Sequence, residues 1–264
     1  MKVKALLSSV LILAMAQSAS ATSIWGRVKN TFNDCKYSEE DRPTIEAEKR
    51  MTVKLADNIR TNFSTNDFAE KPWMRDFRYI IVVNKADKGP NKQTLRVFEN
   101  GYLVLTTKVS TGREGFELKR KNQVCAGAPP KSYWSNTPTG YYTPKFLSVD
   151  HKSSSWDSDM PFAVFFDVDN GLALHQAYPK YEKYLGGRAS GGCVRLADGI
   201  AEDVFNRIAL TEGSNAPLVN KDGTPVLDAE GKVVYATRQQ WTSPRGRVSN
   251  FKNYSALIIV EDNY

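Results

Sequence analysis

From Phe77 onward, apolar and β-branched residues fall in short runs whose period is mostly that of a strand. Arg78–Val83 is β-branched and apolar, and Lys85–Lys92, with Gly89-Pro90, is a polar turn after it. Thr94–Phe98 alternates with period two, Asn100-Gly101 is a two-residue hairpin signal, and Tyr102–Leu105 reads as the partner strand. Val109-Ser110-Thr111-Gly112 ends that strand, and Thr137-Pro138-Thr139-Gly140 marks a turn before Tyr141–Thr143. Met160–Asp167 and Leu172–His175 read as strands joined by Asp169-Asn170-Gly171, and Ser255–Val260 as a final strand. Many short strands with few helices imply a mostly-β sandwich or barrel.

Helical periodicity is confined to two places. Thr44–Asn62 sets Ile45, Val53, Leu55 and Ile59 roughly on one face, with Pro43 ahead and Glu46 and Glu48 in the first turn. After Leu196, Asp198 reads as an N-cap, Ile200, Val204 and Ile208 as an apolar face with Ala201 and Phe205, and Gly213 as a stop. Arg113–Trp134 and Lys152–Asp159 read as loops and candidate lids. Turns at Lys221-Asp222-Gly223 and Glu230-Gly231 around short apolar runs predict a hairpin insertion at about 216–252.

The first 21 residues change the setting. Met1–Lys4 is a short basic region, Ala5–Ala16 an apolar run, and Ala19-Ser20-Ala21 a small-residue cleavage site, the pattern of a secretory signal peptide. No later run approaches 18 apolar residues, so no transmembrane segment is expected in the mature chain. The expected organisation is a leader at 1–21, a helical N-terminal region at 22–72 and one domain at 73–264. Removing Lys2 and Lys4 with the leader lowers the formal charge from +7 to +5. A basic exported protein suits the carboxylates and phosphates of a cell wall; nucleic acid is a partner it rarely meets. Periplasm or cell wall is the expected location, and a monomer the expected state.

Three cysteines read differently after export. Two can pair, and the third is then a reactive thiol or an intermolecular link. If Cys193 is the reactive one, Cys35 and Cys125 remain to form a disulfide; the alternative is that all three stay reduced. Cys193 follows Ser190-Gly191-Gly192 and precedes Val194-Arg195-Leu196, with His175 at the end of an apolar strand upstream. A thiol of pKa about 8.5 needs a base to become a nucleophile, and an oxyanion needs main-chain N–H groups that glycines leave accessible. Cys193, His175 and the glycine pair supply these parts, which points to a cysteine acyltransferase. His151 reads as a surface residue in a polar loop with Asp150, Lys152 and serines. Two His and three Cys without short ligand spacing give no metal site, and no cofactor is expected. Tyr133, Trp134, Tyr178 and Tyr181 are candidate lining residues of a substrate groove.

The run Ser190–Leu196, His175 after its strand, Val109–Gly112 and Thr137–Gly140 together resemble the L,D-transpeptidases, the YkuD-type domain. The resemblance covers about Phe77–Ile208 and the last strand. It implies a YkuD-like β-sandwich acting on peptidoglycan stem tetrapeptides through a Cys thioester, forming 3→3 cross-links. By the same match Cys193 is the nucleophile and His175 its general base. The N–H groups of Gly191, Gly192 and Cys193 would form the oxyanion hole, and Ser190 and Arg195 would organise the loop or contact substrate. The chain departs from the pattern at Gly191, where many members carry a second His, at Gln176, and in the aromatic and basic Tyr178–Tyr181. Water as acceptor would make the same chemistry an L,D-carboxypeptidase, and a protein amine an attachment or release enzyme. A catalytically silent wall-binding module is the alternative outside enzymes.

Overall fold

The computed structural model describes residues 59–118, 132–153, 158–243 and 246–264. The expected leader, most of the 44–62 helix, and Cys35 and Cys125 lie outside the described residues. Where the helix expectation can be read, at Ile59–Asn62, it is corrected: these residues are not helical. Thr61 Oγ1 donates to Ile59 O instead (3.4 Å), the kind of local side-chain bond that competes with helix.

The first sheet holds β1 (Tyr79–Asn84), β2 (Thr94–Glu99), β3 (Tyr102–Lys108), β6 (Gly140–Tyr142) and β15 (Ala256–Glu261), in the order β3-β2-β1-β15-β6. The C-terminal strand β15 is thus inserted beside β1, parallel to it, from Tyr79↔Ala256 to Asn84↔Glu261. Both are buried at every position, so both read as near-continuous apolar runs. The Asn100-Gly101 turn joins β2 and β3 with φ of 50° and 84°, the pair of positive values a tight hairpin requires.

The second sheet holds β7 (Phe146–Ser153), β8 (Ser158–Asp167), β9 (Leu172–Gln176) and β10 (Val194–Leu196), in the order β10-β9-β8-β7. Tyr79, Ile81, Val83 and Ile258 of the first sheet pack against Val164, Leu174, Val194 and Leu196 of the second. Helix α2 (Ile200–Ala209) adds Ala201, Val204, Phe205 and Ile208 to this core. Full burial of such side chains stabilises by about 1.5–3 kcal/mol each before entropy is counted. The other face of the first sheet (Ile80, Val82, Leu257, Ile259) is covered by Phe63, Phe68, Trp73, Met74 and Phe77. Those cover residues flank or occupy α1 (Asp67–Glu70) and the 3-10 turn Pro72–Asp76.

Four expectations are corrected. The ends of the 113–134 loop pair as strands β4 (Phe116–Leu118) and β5 (Ser132–Trp134). His151 lies on β7, paired opposite Met160, not in a loop. The N-cap of α2 is Gly199, not Asp198, whose Oδ1 accepts the Gly199 N–H (2.9 Å) and a Gln176 Nε2 bond (3.0 Å). The insertion is two hairpins: β11 (Ala216–Pro217) pairs with β12 (Tyr235–Ala236), then β13 (Arg238–Thr242) with β14 (Val248–Lys252). No described helix is long and apolar enough to cross a membrane.

Candidate active site

Strands β9 and β10 run parallel with Val194 opposite Leu174 and Arg195 opposite His175. Cys193, one residue ahead of β10, therefore falls level with Ala173. Leu172 and Leu174 point into the inter-sheet core and Ala173 to the outer face of the second sheet, so alternation puts His175 on that outer face too. From strand spacing and rise, the Cα atoms of Cys193 and His175 are roughly 8 Å apart. The sequence thus brings nucleophile and base candidates to one end of one sheet.

His175 is 7% exposed, and its Nδ1 lies 2.7 Å from the carbonyl of Gln176. A carbonyl can only accept, so Nδ1 carries the proton and Nε2 is left as the basic lone pair. What orients the ring is therefore the main chain of Gln176. Burial pushes the imidazole down to about 4; the Gln176 carbonyl opposes this, while the Arg195 and His151 charges add to it. Burial likewise raises the Cys193 thiol, with the Ala173 main chain and the Arg195 charge opposing. At pH 7 these directions leave the thiol protonated and the imidazole neutral, with Nε2 open to accept a proton.

Cys193 is partly buried between the inter-sheet core and a smaller cluster of Met160, Ala163, Phe165 and Ala173. It is the free cysteine among the described residues. Its Sγ lies 3.8 Å from the Gly171 carbonyl, and no hydrogen bond joins it to His175.

Three stretches distant in sequence hold the cysteine loop. The backbone of Ser110 exchanges hydrogen bonds with Arg195 (3.1 and 2.9 Å), and Ser190 N donates to Thr111 O (2.8 Å). Gln93, fully buried, fixes Thr111 through its side-chain amide (2.8 and 2.9 Å). Residues 135–137 pass between Gly112 and Gly192, so close that a Cβ on Gly112 would lie 2.4 Å from Ser135 O. Gly192 has φ +132°, and a Cβ there would meet Asn136 O at 2.8 Å and Leu172 Cδ2 at 2.9 Å. Strain and overpacking combine, so Gly192→Ala should destabilise the protein by about 2–4 kcal/mol. A urea titration in which the midpoint does not move would refute this packing.

Ser190 organises the loop: its Oγ donates to Cys193 O and accepts the Gly192 N–H (3.0 Å). Gly192 N–H is thereby engaged, and Gly191 and Cys193 carry the remaining N–H groups of the loop. Arg195 donates to Ala189 O (3.2 Å) and stacks over Tyr181 at 4.8 Å. Tyr181 belongs to the 3-10 turn Pro179–Tyr184 between His175 and the loop, where Tyr178 stays half-exposed. Two residues were missed as neighbours of the site. His151 packs edge-on against Phe165 at 4.7 Å; its polar sequence neighbours hid its place on a strand. Thr137 was visible only as part of a turn motif, since nothing local in sequence reports what its hydroxyl meets.

Comparison with family models matches residues 78–227 to the L,D-transpeptidase catalytic domain, YkuD. No curated protein matches. Among solved structures, an L,D-transpeptidase from Xylanimonas cellulosilytica is 22% identical over 47% of this chain and 52% of its own, with a TM-score of 0.37. One from Mycobacterium tuberculosis is 17% identical over 70% and 58%, with a TM-score of 0.38. One from Stackebrandtia nassauensis is 18% identical over 64% and 74%, with a TM-score of 0.35. The chain spans a little over half the length of the first two. The family model covers more than half of the sequence, including His175, Cys193 and the three stretches that knit the loop; the chain belongs to the L,D-transpeptidase catalytic-domain family.

Proposed function

We propose that this protein is a cysteine acyltransferase acting on peptidoglycan stem tetrapeptides in the periplasm or cell wall. The observation that carries the reading is the Gln176 carbonyl on His175 Nδ1, which leaves Nε2 as a base on the strand beside Cys193. Nε2 takes the thiol proton as sulfur adds to the carbonyl between the third residue and the terminal D-Ala. The N–H groups of Cys193 and Gly191 receive the oxyanion, since Gly192 N–H is held by Ser190. Collapse breaks the C–N bond, and the imidazolium returns its proton to the departing D-Ala amine, leaving a thioester. A side-chain amine of a second stem then attacks, gives its proton to His175, and expels the thiolate, which is reprotonated. The product is a 3→3 cross-link.

Purified protein given disaccharide tetrapeptides should produce 3→3 linked dimers and free D-Ala, resolved by chromatography and mass spectrometry. Tripeptides without dimers would assign water as the acceptor. Unchanged tetrapeptides would contradict the proposal.

A further inference from the structure

We infer that Thr137 is a positioning residue for the oxyanion site, acting through the peptide group that links Gly192 to Cys193. This rests on the thioester reading above and adds the part that aims its N–H donor. Thr137 is fully buried, and its hydroxyl bridges two glycine backbones. It accepts the Gly112 N–H (2.9 Å) and donates to the Gly192 carbonyl (2.6 Å).

A trans peptide is planar, with its C=O and N–H pointing in opposite directions. Holding the Gly192 oxygen on Thr137 therefore points the Cys193 N–H the opposite way, along the same plane and away from Thr137. Gly192 has no side chain to restrict this peptide, and its φ of +132° belongs to a region open mainly to glycine. The direction of the Cys193 N–H is thus set from outside the loop.

The brace is itself fixed. Thr137 N–H donates to Glu114 Oε1 (3.2 Å), and Glu114 Oε2 is ion-paired with Lys85 Nζ (3.2 Å). Lys85 Nζ also donates to Asn136 Oδ1 (3.1 Å), and Lys85 is 2% exposed. A charge pair with its Lys85 end buried and its Glu114 end part-buried is costly to break, so it holds residues 136–137 in one place. The three sequence stretches around Gly112, Thr137 and Gly192 then act as one unit whose output is a direction of an N–H bond.

Two reagents separate this role from thiol activation. Addition to a carbapenem carbonyl develops an oxyanion, whereas iodoacetamide alkylates sulfur by displacing iodide and develops none. Both reactions can be followed at the Cys193 peptide by mass spectrometry. Thr137→Val should slow carbapenem acylation by about 10–100-fold, with alkylation changed less than about two-fold. Thr137→Ser, which keeps the hydroxyl, should restore acylation. If Thr137→Val does not fold, Thr137→Ala gives the same contrast without the added methyl. Equal acylation by wild type and variant, parallel loss of both reactions, or no rescue by Ser would overturn the inference. A wild type that alkylates at Cys193 but never acylates would instead count against the proposed function.

Discussion

Cys193→Ala is expected to lower turnover of tetrapeptide stems by about 10⁴-fold or more, because the proposed thioester forms on this sulfur. The loss should be almost entirely in the chemical step. Sγ makes a 3.8 Å contact to Gly171 O and packs at the border of two apolar clusters, so its removal costs roughly 1 kcal/mol of stability. A near-native urea midpoint beside an inactive enzyme distinguishes lost chemistry from lost fold. Substantial residual turnover in a folded Cys193→Ala protein would remove Cys193 from the mechanism.

His175→Ala should show the second largest loss, and its size should depend on pH in a defined direction. Burial holds the imidazole down to about 4, so in the proposed mechanism it stays unprotonated and able to accept the thiol proton from neutrality down to that value. The wild-type acylation rate should therefore fall only below about pH 4 and stay level through pH 7. Without the ring, only pre-formed thiolate reacts. Its fraction at pH 7 is below about 3% even for an unburied cysteine, and burial raises the Cys193 thiol further. The variant's rate should then climb about tenfold per pH unit until the thiol is ionised. The gap from wild type, on the order of 10²–10⁴ at neutrality, should close as pH rises. Acylation rates of both proteins from pH 3 to 10 check this; a gap constant across that range would exclude His175 as the base.

The parts legible in sequence were those set by neighbours along the chain. Continuous apolar runs marked β1 and β15 because both are buried on two faces. Asn100-Gly101 marked its hairpin because few residues adopt positive φ twice in succession. The Ser190–Leu196 run and His175 named candidate residues that β9 and β10 bring to one end of one sheet. What stayed hidden depends on distant partners. The strand β7 carries Asp150, His151 and Lys152 and is half-exposed along much of its length, so its sequence reads as a loop. Insertion of β15 between β1 and β6 is a pairing across the whole domain that no local pattern encodes. Asp198 resembles a cap, yet it bonds Gln176 across the end of β9 and leaves Gly199 to start the helix. The bridge from Thr137 to Gly112 and Gly192 joins residues 25 and 55 positions away. Reading motifs one at a time could place them in a family but could not reveal that they touch.

Intact-mass spectrometry of the protein rapidly quenched in acid after mixing with tetrapeptide stem tests the covalent step itself. A mass increase equal to the stem minus one molecule of free D-Ala is expected, mapped after digestion to the Cys193 peptide, lost on treatment with hydroxylamine, and absent from Cys193→Ala. Turnover with no such adduct at any quench time, or an adduct on another residue, would contradict that step.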